Sequence, residues 1–247
     1  MDHVSDRPAT GPASALGLVG ARTAPKWRAR TGEETPQRRE QIIRAATKVL
    51  GRQGYAAASL KEIAREANVA PGLLHYYFES KDDLLLEVVA VLHRERTDDW
   101  QSAISGIEDP LERVIAALDR CAMIAVERPE YIRLLFDVYT LGQTNQAMRL
   151  RIEALRSERI DNIEAEVRGI FGQLPAYAVV APRKLAEALA GACDGIAMTA
   201  LIEQKDSRPA YHALKAMLLS MVVTAYVATG QPPPFARLQD LLATGVD

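Results

Sequence analysis

The chain has 247 residues, with 30 Lys and Arg against 32 Asp and Glu, so its formal net charge is −2. This near balance excludes a uniformly basic nucleic-acid coat protein and an acidic solvating tail, although it is compatible with a local basic surface. Apolar residues form 48% of the chain, which is enough for a packed core. No apolar run reaches the roughly 18 residues of a membrane-spanning helix, so we expect no membrane association.

Residues 1–34 are rich in Pro, Gly, Ala, Thr and Arg and follow no helical or strand periodicity. This composition predicts a flexible N-terminal arm. The basic residues around Trp27 suit insertion into a DNA minor groove. The alternative is an extension with incidental charges, which the neighbouring Glu33 and Glu34 favour.

Three helices are predicted over residues 35–81. The first begins at Thr35-Pro36, since Thr is a good N-cap and Pro suits the first helical position, and it ends at Gly54. Ser59 and Glu62 have the spacing of a capping box and open a short second helix. A turn around Asn68 and a short third helix, from Pro71 to about residue 78, follow.

Caps and helix breakers divide the remainder into six more helices. Asp109-Pro110, Pro129, Pro182 and Arg208-Pro209 mark helix starts, and Gly230 with three prolines ends the last helix. The predicted bounds are about 81–105, 110–127, 129–142, 145–171, 183–204 and 208–229. Residues 231–247 are predicted to be a C-terminal tail, and the fold class is all-α.

The second and third helices have the spacing of a DNA-reading helix-turn-helix. Counted from Leu60, the fourth, eighth, tenth and fifteenth positions are apolar and predict a small core between the helices; they are Ile63, Ala67, Val69 and Leu74. The fifth position, where the helices cross, is the small Ala64. The ninth is Asn68, one of the few residues that tolerate a left-handed backbone.

This region resembles the TetR family of bacterial transcriptional regulators. The resemblance rests on Gly54-Tyr55, on the segments 59–64 and 80–84, and on the following single positions: Val69, Gly72, Leu74, Tyr77 and Phe78. It implies a DNA-binding domain over residues 35–81 and a six-helix ligand-binding and dimerisation domain over 82–230. Three positions depart from the family pattern, namely Asn68, Pro71 and His75, and the last two bear on base preference.

Charge is divided unevenly along the chain. Residues 1–81 carry 13 Lys and Arg against 8 Asp and Glu, whereas residues 82–247 carry 17 against 24. A basic front suits the phosphate contacts that supply much of the affinity for DNA. The family resemblance then implies base or phosphate contacts for eight residues: Ser59, Lys61, Gly72, Leu73, His75, Tyr76, Tyr77 and Lys81. We expect Ser59, Lys61 and Lys81 to be phosphate anchors, whereas Phe78 is expected in the core.

The resemblance also implies that the last two long helices pair with those of a second copy. The residues predicted at this homodimer interface are Gly191, Gly195, Met217, Met221 and Tyr226. An effector pocket is expected among the middle helices, with ten candidate lining residues: Trp100, Cys121, Tyr131, Arg133, Phe136, Asp137, Tyr139, Met148, Asp194 and Met198. These side chains suggest a small hydrophobic effector, and we hypothesise a cationic one because of Asp137 and Asp194.

The predicted function is a ligand-responsive repressor that leaves a double-stranded DNA operator when a small molecule binds. The sequence has no Walker loop, no His-Glu-x-x-His and no Gly-x-Ser-x-Gly, so no enzyme activity is predicted. Cys121 and Cys193 form no Cys-x-x-Cys pair, and we interpret them as small core residues in a reducing cytoplasm. Neither a metal nor a cofactor is predicted. The alternative function is a helical adaptor without sequence-specific DNA binding.

Overall fold

The computed structural model describes residues 34–172 and 181–243, and within these ranges it contains ten α-helices and no strand. The predicted all-α class is confirmed. The helices are α1 (Glu34–Ala57), α2 (Leu60–Glu66), α3 (Pro71–Tyr77), α4 (Lys81–Ile104), α5 (Pro110–Glu127), α6 (Pro129–Gly142), α7 (Gln146–Phe171), α8 (Pro182–Glu203), α9 (Arg208–Ala228) and α10 (Phe235–Ala243). The predicted arm lies outside the described residues, except for Glu34, which begins α1.

Backbone contacts divide the chain into residues 1–38 and residues 39–247. Of the first unit, only the first residues of α1 are described. The second unit contains the rest of α1 and the other nine helices of the described ranges.

Local capping residues start the helices where the sequence predicts. The Ser59 hydroxyl accepts a hydrogen bond from the backbone N–H of Glu62 at 3.2 Å, and the Glu62 carboxylate accepts one from the Ser59 N–H at 3.0 Å. This capping box satisfies two N–H groups that have no partner inside the helix. Ser80 and Asp109 cap α4 and α5 by accepting from backbone N–H groups three residues further on, at 3.0 and 2.9 Å.

One predicted boundary is confirmed and one is wrong. Gly54 has a φ of 77° and is not helical, so the first regular helix ends there as predicted, and a short helical segment follows to Ala57 across a kink. The tail predicted over residues 231–247 contains α10, whose Leu238 and Leu241 are buried in the core. The sequence analysis missed α10 because its nine residues show only one short apolar repeat after a run of prolines. The body therefore has seven described helices rather than six.

Two hydrophobic cores hold these helices together. The first core contains buried residues of α1, α2, α3, α4, α6 and α7, among them Leu74, Phe78, Leu84 and Leu134. The second core joins α5, α7, α8, α9 and α10. Phe78 is in the core, as predicted. Because the first core contains side chains from both sides of Lys81, the predicted domain boundary is not a boundary between hydrophobic cores.

Helices α8 and α9 are long and apolar, and each has an exposed face. By length and composition alone both are able to cross a membrane, with mean hydropathies of 1.5 and 1.3, and 33% of each such segment is buried. The sequence did not predict this, because neither helix contains an uninterrupted apolar run of that length. In α8 and α9, small residues interspersed with apolar ones raise the mean hydropathy to that of a membrane-spanning segment. Both helices also leave one face exposed.

Candidate nucleic-acid interface and effector cavity

The turn between α2 and α3 has the geometry that the motif requires. Asn68 has a φ of 51°, so the left-handed backbone predicted at this position is confirmed. The N–H of Val69 donates to the carbonyl of Ala64 at 3.0 Å and closes the turn. The side-chain amide of Gln41 donates to the carbonyl of Ala67 at 2.7 Å and ties the turn to α1. The path of the chain into α3 is therefore fixed from both sides.

Helix α3 separates its side chains into an inner and an outer set. Leu74 is buried in the first core, and Phe78, directly after the helix, is buried with it. The predicted DNA-contacting residues form the outer set: Gly72, His75 and Tyr76 are exposed, and Leu73 and Tyr77 are half-buried. Tyr76 is 51% exposed, and its ring meets that of Tyr77 edge-on at 5.1 Å between centroids. The helix thus offers aromatic and imidazole groups to solvent.

The three predicted phosphate anchors differ in how far they are engaged within the chain. Lys61 is exposed at the start of α2. The Ser59 hydroxyl serves the capping box, in which it also donates to the Glu62 carboxylate at 2.8 Å. The Lys81 ammonium donates to the carbonyls of Tyr55 and Ala58 at 2.8 and 2.9 Å. Two of its three donors therefore join the start of α4 to the last turn of α1 and to the residue that follows α1.

Arg133 and Asp137 were predicted in the effector pocket, but the structure places both at a contact between α6 and α1. The Arg133 guanidinium donates to the carbonyl of Gly51, and the Asp137 carboxylate accepts from the backbone N–H of Tyr55 at 2.9 Å. A Cβ atom on Gly51 would lie 2.7 Å from the Cβ of Glu130, so the two helices approach closely there. These polar groups serve the backbone near the kink of α1, and we call this contact the α1–α6 seam.

A cavity lies among α4, α5, α7 and α8. The space that it leaves for the centre of a water-sized sphere is about 70 Å³, and the cavity is partly open to solvent. Its lining is mostly apolar and includes the predicted Trp100 and Cys121. Tyr131, Tyr139 and Asp194, also predicted, line two smaller spaces that share Arg96 and Arg159 with this cavity. Five of the ten predicted pocket residues are thus brought together.

The other three predicted pocket residues do not line the cavity. Met148 is completely buried in the first core. Phe136 packs edge-on against Tyr139, with 5.6 Å between ring centroids, and Met198 is half-buried on α8. Apolar side chains at helical spacing identify a core readily, but they do not tell which of them border a void.

Asp194 is neutralised within the chain. One of its carboxylate oxygens accepts from Arg159 at 2.5 Å, and the other lies 3.6 Å from a guanidinium nitrogen of Arg156 and accepts from the Tyr139 hydroxyl at 3.3 Å. A carboxylate with two arginines is a poor partner for a cationic ligand, since the positive charge beside it already exceeds its own. The geometry therefore argues against the cationic effector hypothesised from Asp137 and Asp194.

The polar residues of the cavity were not predicted from the sequence, and they include His93 and Arg96 on α4 and Arg159 on α7. Burial, aided by the charges of Arg96, Arg159 and Arg94, lowers the pKa of His93 to about 4. The imidazole is consequently neutral at physiological pH. The available sequence signal was a pair of residues, His93 and Arg96, one helical turn apart at the edge of an apolar stripe on α4.

The two cysteines lie on facing helices at this cavity. Cys193 is buried, whereas Cys121 is half-buried. A hydrogen bond from Cys193 and the nearby guanidinium groups of Arg96 and Arg159 lower the pKa of the Cys121 thiol to about 6. The same hydrogen bond and burial raise the pKa of the Cys193 thiol. Both cysteines line the cavity, and Cys193 also belongs to the second core, as predicted.

The residues predicted at a homodimer interface differ in their exposure to solvent. Gly191, Gly195 and Met217 are exposed, and Met217 is 66% exposed. Met221 and Tyr226 are half-buried. A Cβ atom on Gly191 or Gly195 would meet nothing within 4 Å, so no contact within the chain requires glycine at either position.

Comparison with known proteins identifies the N-terminal region. Residues 42–88 match the family model described as bacterial regulatory proteins, tetR family. The HTH-type transcriptional regulator BetI of Rhizobium meliloti (strain 1021) is 36% identical over 115 residues, which are 46% of this chain and 56% of that protein. The chain covers between 41% and 64% of the length of such relatives, so they do not establish the function of the whole chain.

Two solved structures have the same fold at low sequence identity. A transcriptional regulator from Saccharomonospora viridis in complex with choline has a TM-score of 0.64 and 21% identity, with coverage of 74% of this chain and 96% of that one. The regulator FadR of Bacillus subtilis in complex with stearoyl-CoA has a TM-score of 0.59 and 17% identity, with coverage of 84% and 99%. Residues 42–88 thus match the tetR family of bacterial regulatory proteins, and the described residues have the fold of these transcriptional regulators.

Proposed function

We propose that this chain is a ligand-responsive DNA-binding regulator that acts in the bacterial cytoplasm, most simply as a repressor that an effector releases from its operator. The observation that carries the proposal is the exposure of the outer face of α3, with His75 and Tyr76 presented beyond the left-handed turn at Asn68. A rigidly held short helix with exposed polar and aromatic groups is what major-groove reading requires.

Homodimer formation through α8 and α9 is part of the proposal. The exposed face of α8 contains small residues, and that of α9 contains apolar and small ones; together they are Ala188, Gly191, Gly195, Thr199, Ala213, Met217, Ser220, Thr224 and Val227. Glycines that no intrachain contact requires permit close approach of a partner helix. Burial of this face against a second copy also removes apolar surface from water. The two α3 helices of such a dimer would read half-sites about 34–36 Å apart.

Effector response follows from the position of α4. Its C-terminal half supplies four residues to the cavity, namely His93, Arg96, Thr97 and Trp100. Its first residue, Lys81, is held on the carbonyls of Tyr55 and Ala58 beside the helix-turn-helix. An effector that fits one position of α4 better than another shifts the population of DNA-competent dimers by its difference in affinity.

A mobility-shift assay over a salt series tests DNA recognition. The full chain is titrated onto DNA from upstream of its own gene and onto random DNA of equal length. Specific regulation predicts tighter binding to the upstream DNA at physiological salt. Equal affinities would contradict the proposal and favour the adaptor alternative.

Two variants separate base contacts from phosphate contacts. Tyr76→Ala should change the preference among operator variants, whereas Lys61→Ala should weaken all DNA by similar factors and reduce the salt slope by about 1. Lys205→Ala, which removes an exposed lysine after α8, is the matched control and should leave both quantities unchanged. Identical profiles for the Tyr76 and Lys61 variants would refute the assignment of the two roles.

Dimer formation has its own test. Met217→Glu places a charge on the exposed face of α9 and should produce monomers in sedimentation velocity, because a buried unpaired charge is costly. Met123→Glu, at another exposed methionine on α5, is the control and should remain dimeric. A wild-type chain that sediments as a monomer at micromolar concentration would rule out this part of the proposal.

A further inference from the structure

The polar groups at the inner end of the cavity carry more positive than negative charge. Arg96 and Arg159 line the cavity and the two smaller spaces beside it. Arg156 lines one of these smaller spaces, and Asp194, which lines the other, is the carboxylate that faces Arg156 and Arg159. Arg96 donates to the Tyr131 hydroxyl at 3.2 Å and stacks on the Tyr131 ring at 5.8 Å, both neutral contacts. Among the described residues, no carboxylate lies within ion-pair distance of Arg96. Arg96 therefore forms no ion pair with a carboxylate there, and the acidic groups that act on it are the Tyr131 hydroxyl, the Cys121 thiol and the Asp194 carboxylate.

Two further polar atoms at the same place have no partner. The Nε of Arg159 and the Nε2 of His93 are buried and make no hydrogen bond with any described residue. His93 is only 7% exposed, and both residues line the cavity. Buried N–H groups are nearly always hydrogen-bonded, and an unpaired donor costs about 1–3 kcal/mol. An acceptor that enters the cavity would supply the missing partners.

The remaining lining is apolar. Trp100, Val114, Leu118, Ile163 and Leu189 extend from the arginines along the cavity. The charged side chains elsewhere in the lining are already paired, Arg120 with Asp99 at 3.1 Å and Glu166 with Arg113 at 2.7 Å. The cavity thus has one end at which arginines outnumber carboxylates and a body that suits a hydrocarbon chain or ring.

We propose that the effector cavity binds an amphiphile with a carboxylate head, held by Arg96 and the Nε of Arg159, and with an apolar body along Trp100 and Leu118. This inference rests on the proposed function, because it names the ligand class of the same site. A guanidinium group donates two parallel hydrogen bonds to a carboxylate, and such charge-assisted bonds are about twice as strong as neutral ones. The fold alone does not decide the ligand class, since one neighbour of this fold was crystallised with choline and another with stearoyl-CoA.

Three probes of equal chain length test the ligand class on the wild-type full chain. Decanoate, 1-decanol and decyltrimethylammonium are titrated calorimetrically at pH 7.5, below their micellar concentrations. Decanoate should bind at least about tenfold more tightly than decanol, and the ammonium probe should bind most weakly. Equal affinities for decanoate and decanol, or tighter binding of the ammonium probe, would overturn the proposal.

Variants of α4 assign the selectivity to one residue. Arg96→Gln should reduce decanoate affinity about tenfold, to that of decanol, and leave decanol affinity within about twofold. Arg96→Lys should retain part of the preference, because it keeps the charge without the planar fork. Arg94→Gln, at an exposed arginine on the same helix, is the control and should bind as wild type. An unchanged preference in Arg96→Gln would refute the role of Arg96; if that variant does not fold, the wild-type comparison decides.

Cys121 reports whether the probe enters the cavity. The thiol lines it, so saturating decanoate should slow alkylation of Cys121 by iodoacetamide, measured by mass spectrometry of the peptide. Decanoate binding without any protection of Cys121 would place the probe elsewhere and contradict the proposal. These measurements use no DNA: specific operator binding without carboxylate preference would reject only the ligand class, whereas carboxylate preference without operator binding would reject only the regulator.

Discussion

The two ends of α4 illustrate two ways in which this chain presents polar groups. At the N-terminal end, the helix-turn-helix leaves His75 and Tyr76 exposed and buries apolar side chains behind them. At the C-terminal end, the body encloses His93 and Arg96 beside a cavity. The first arrangement suits a large partner that approaches from outside, and the second suits a small molecule that must be enclosed. One helix, α4, connects the two environments.

The largest expected effect is the loss of stability in Leu74→Ala, which tests whether the helix-turn-helix and the body unfold together. Leu74→Ala removes a fully buried side chain from the first core and should cost about 2–5 kcal/mol in free energy of unfolding. Because this core also contains α4 and α6, we expect urea unfolding to move to lower urea concentration for total helicity and for Trp100 fluorescence alike. The measurement uses a Trp27→Phe background, so that Trp100 is the sole tryptophan.

Leu218→Ala is the counterpart of Leu74→Ala in the second core, where the side chain is equally buried. It should lower the free energy of unfolding by a similar amount. If Leu74→Ala shifts the helicity transition but leaves the Trp100 transition in place, the helix-turn-helix and the body are separate unfolding units despite the shared core.

The next effect concerns acid stability and His93. Its pKa is about 4 in the folded chain against about 6.5 when unfolded, so below pH 6.5 the unfolded chain takes up a proton that the folded chain does not. Stability should fall as the pH drops from 6.5 towards 4, by as much as about 3 kcal/mol from this residue. The charges around His93 are those of Arg94, Arg96 and Arg159, which disfavour its protonation, and of Asp194, which favours it.

The comparison of His93→Gln with His75→Gln isolates this contribution. Carboxylates that titrate over the same pH range affect both variants equally. His93→Gln should flatten the decrease in the free energy of unfolding between pH 6.5 and 4, whereas His75→Gln, on the exposed face of α3, should follow the wild type. Parallel curves for all three proteins would show that His93 takes up its proton in the folded chain as readily as in the unfolded one.

A substitution in the α1–α6 seam should have an effect on local stability that is intermediate in size. Asp137→Ala removes the acceptor of the Tyr55 N–H, a charge-assisted hydrogen bond of about 2 kcal/mol. Exchange of the Tyr55 amide hydrogen should accelerate by more than tenfold in hydrogen-exchange measurements. Asp98→Ala, at an exposed position on α4, is the control and should leave that exchange rate unchanged. No acceleration at Tyr55 in Asp137→Ala would mean that Asp137 does not hold the kink of α1 to the body.

The sequence predicted the helix-turn-helix in more detail than it predicted the helices that follow. Ser59, Glu62 and Asn68 act on backbone within a few residues of themselves, so spacing alone identified the capping box and the left-handed turn. The helix bounds of the body followed from similar local caps. By contrast, Arg133 and Asp194 both lie in apolar segments, and nothing local tells that one binds α1 and the other faces Arg159. Side-chain direction between helices is fixed by packing over long sequence distances, which single-sequence patterns do not encode.

The smallest expected effect is that of Ser59→Ala, and it distinguishes a role of Ser59 in folding stability from a role in DNA binding. Ser59→Ala deletes the cap of α2 and should cost about 1 kcal/mol in free energy of unfolding, while Ser59→Asn retains a capping oxygen and should cost little. The Ser59 hydroxyl donates to Glu62 in the free chain, so a phosphate contact requires this hydrogen to turn away from Glu62. If Ser59 acts on DNA only by shaping α2, operator affinity will follow stability, and Ser59→Asn will restore both. Restored stability with weakened operator binding would instead assign the hydroxyl itself to the phosphate backbone.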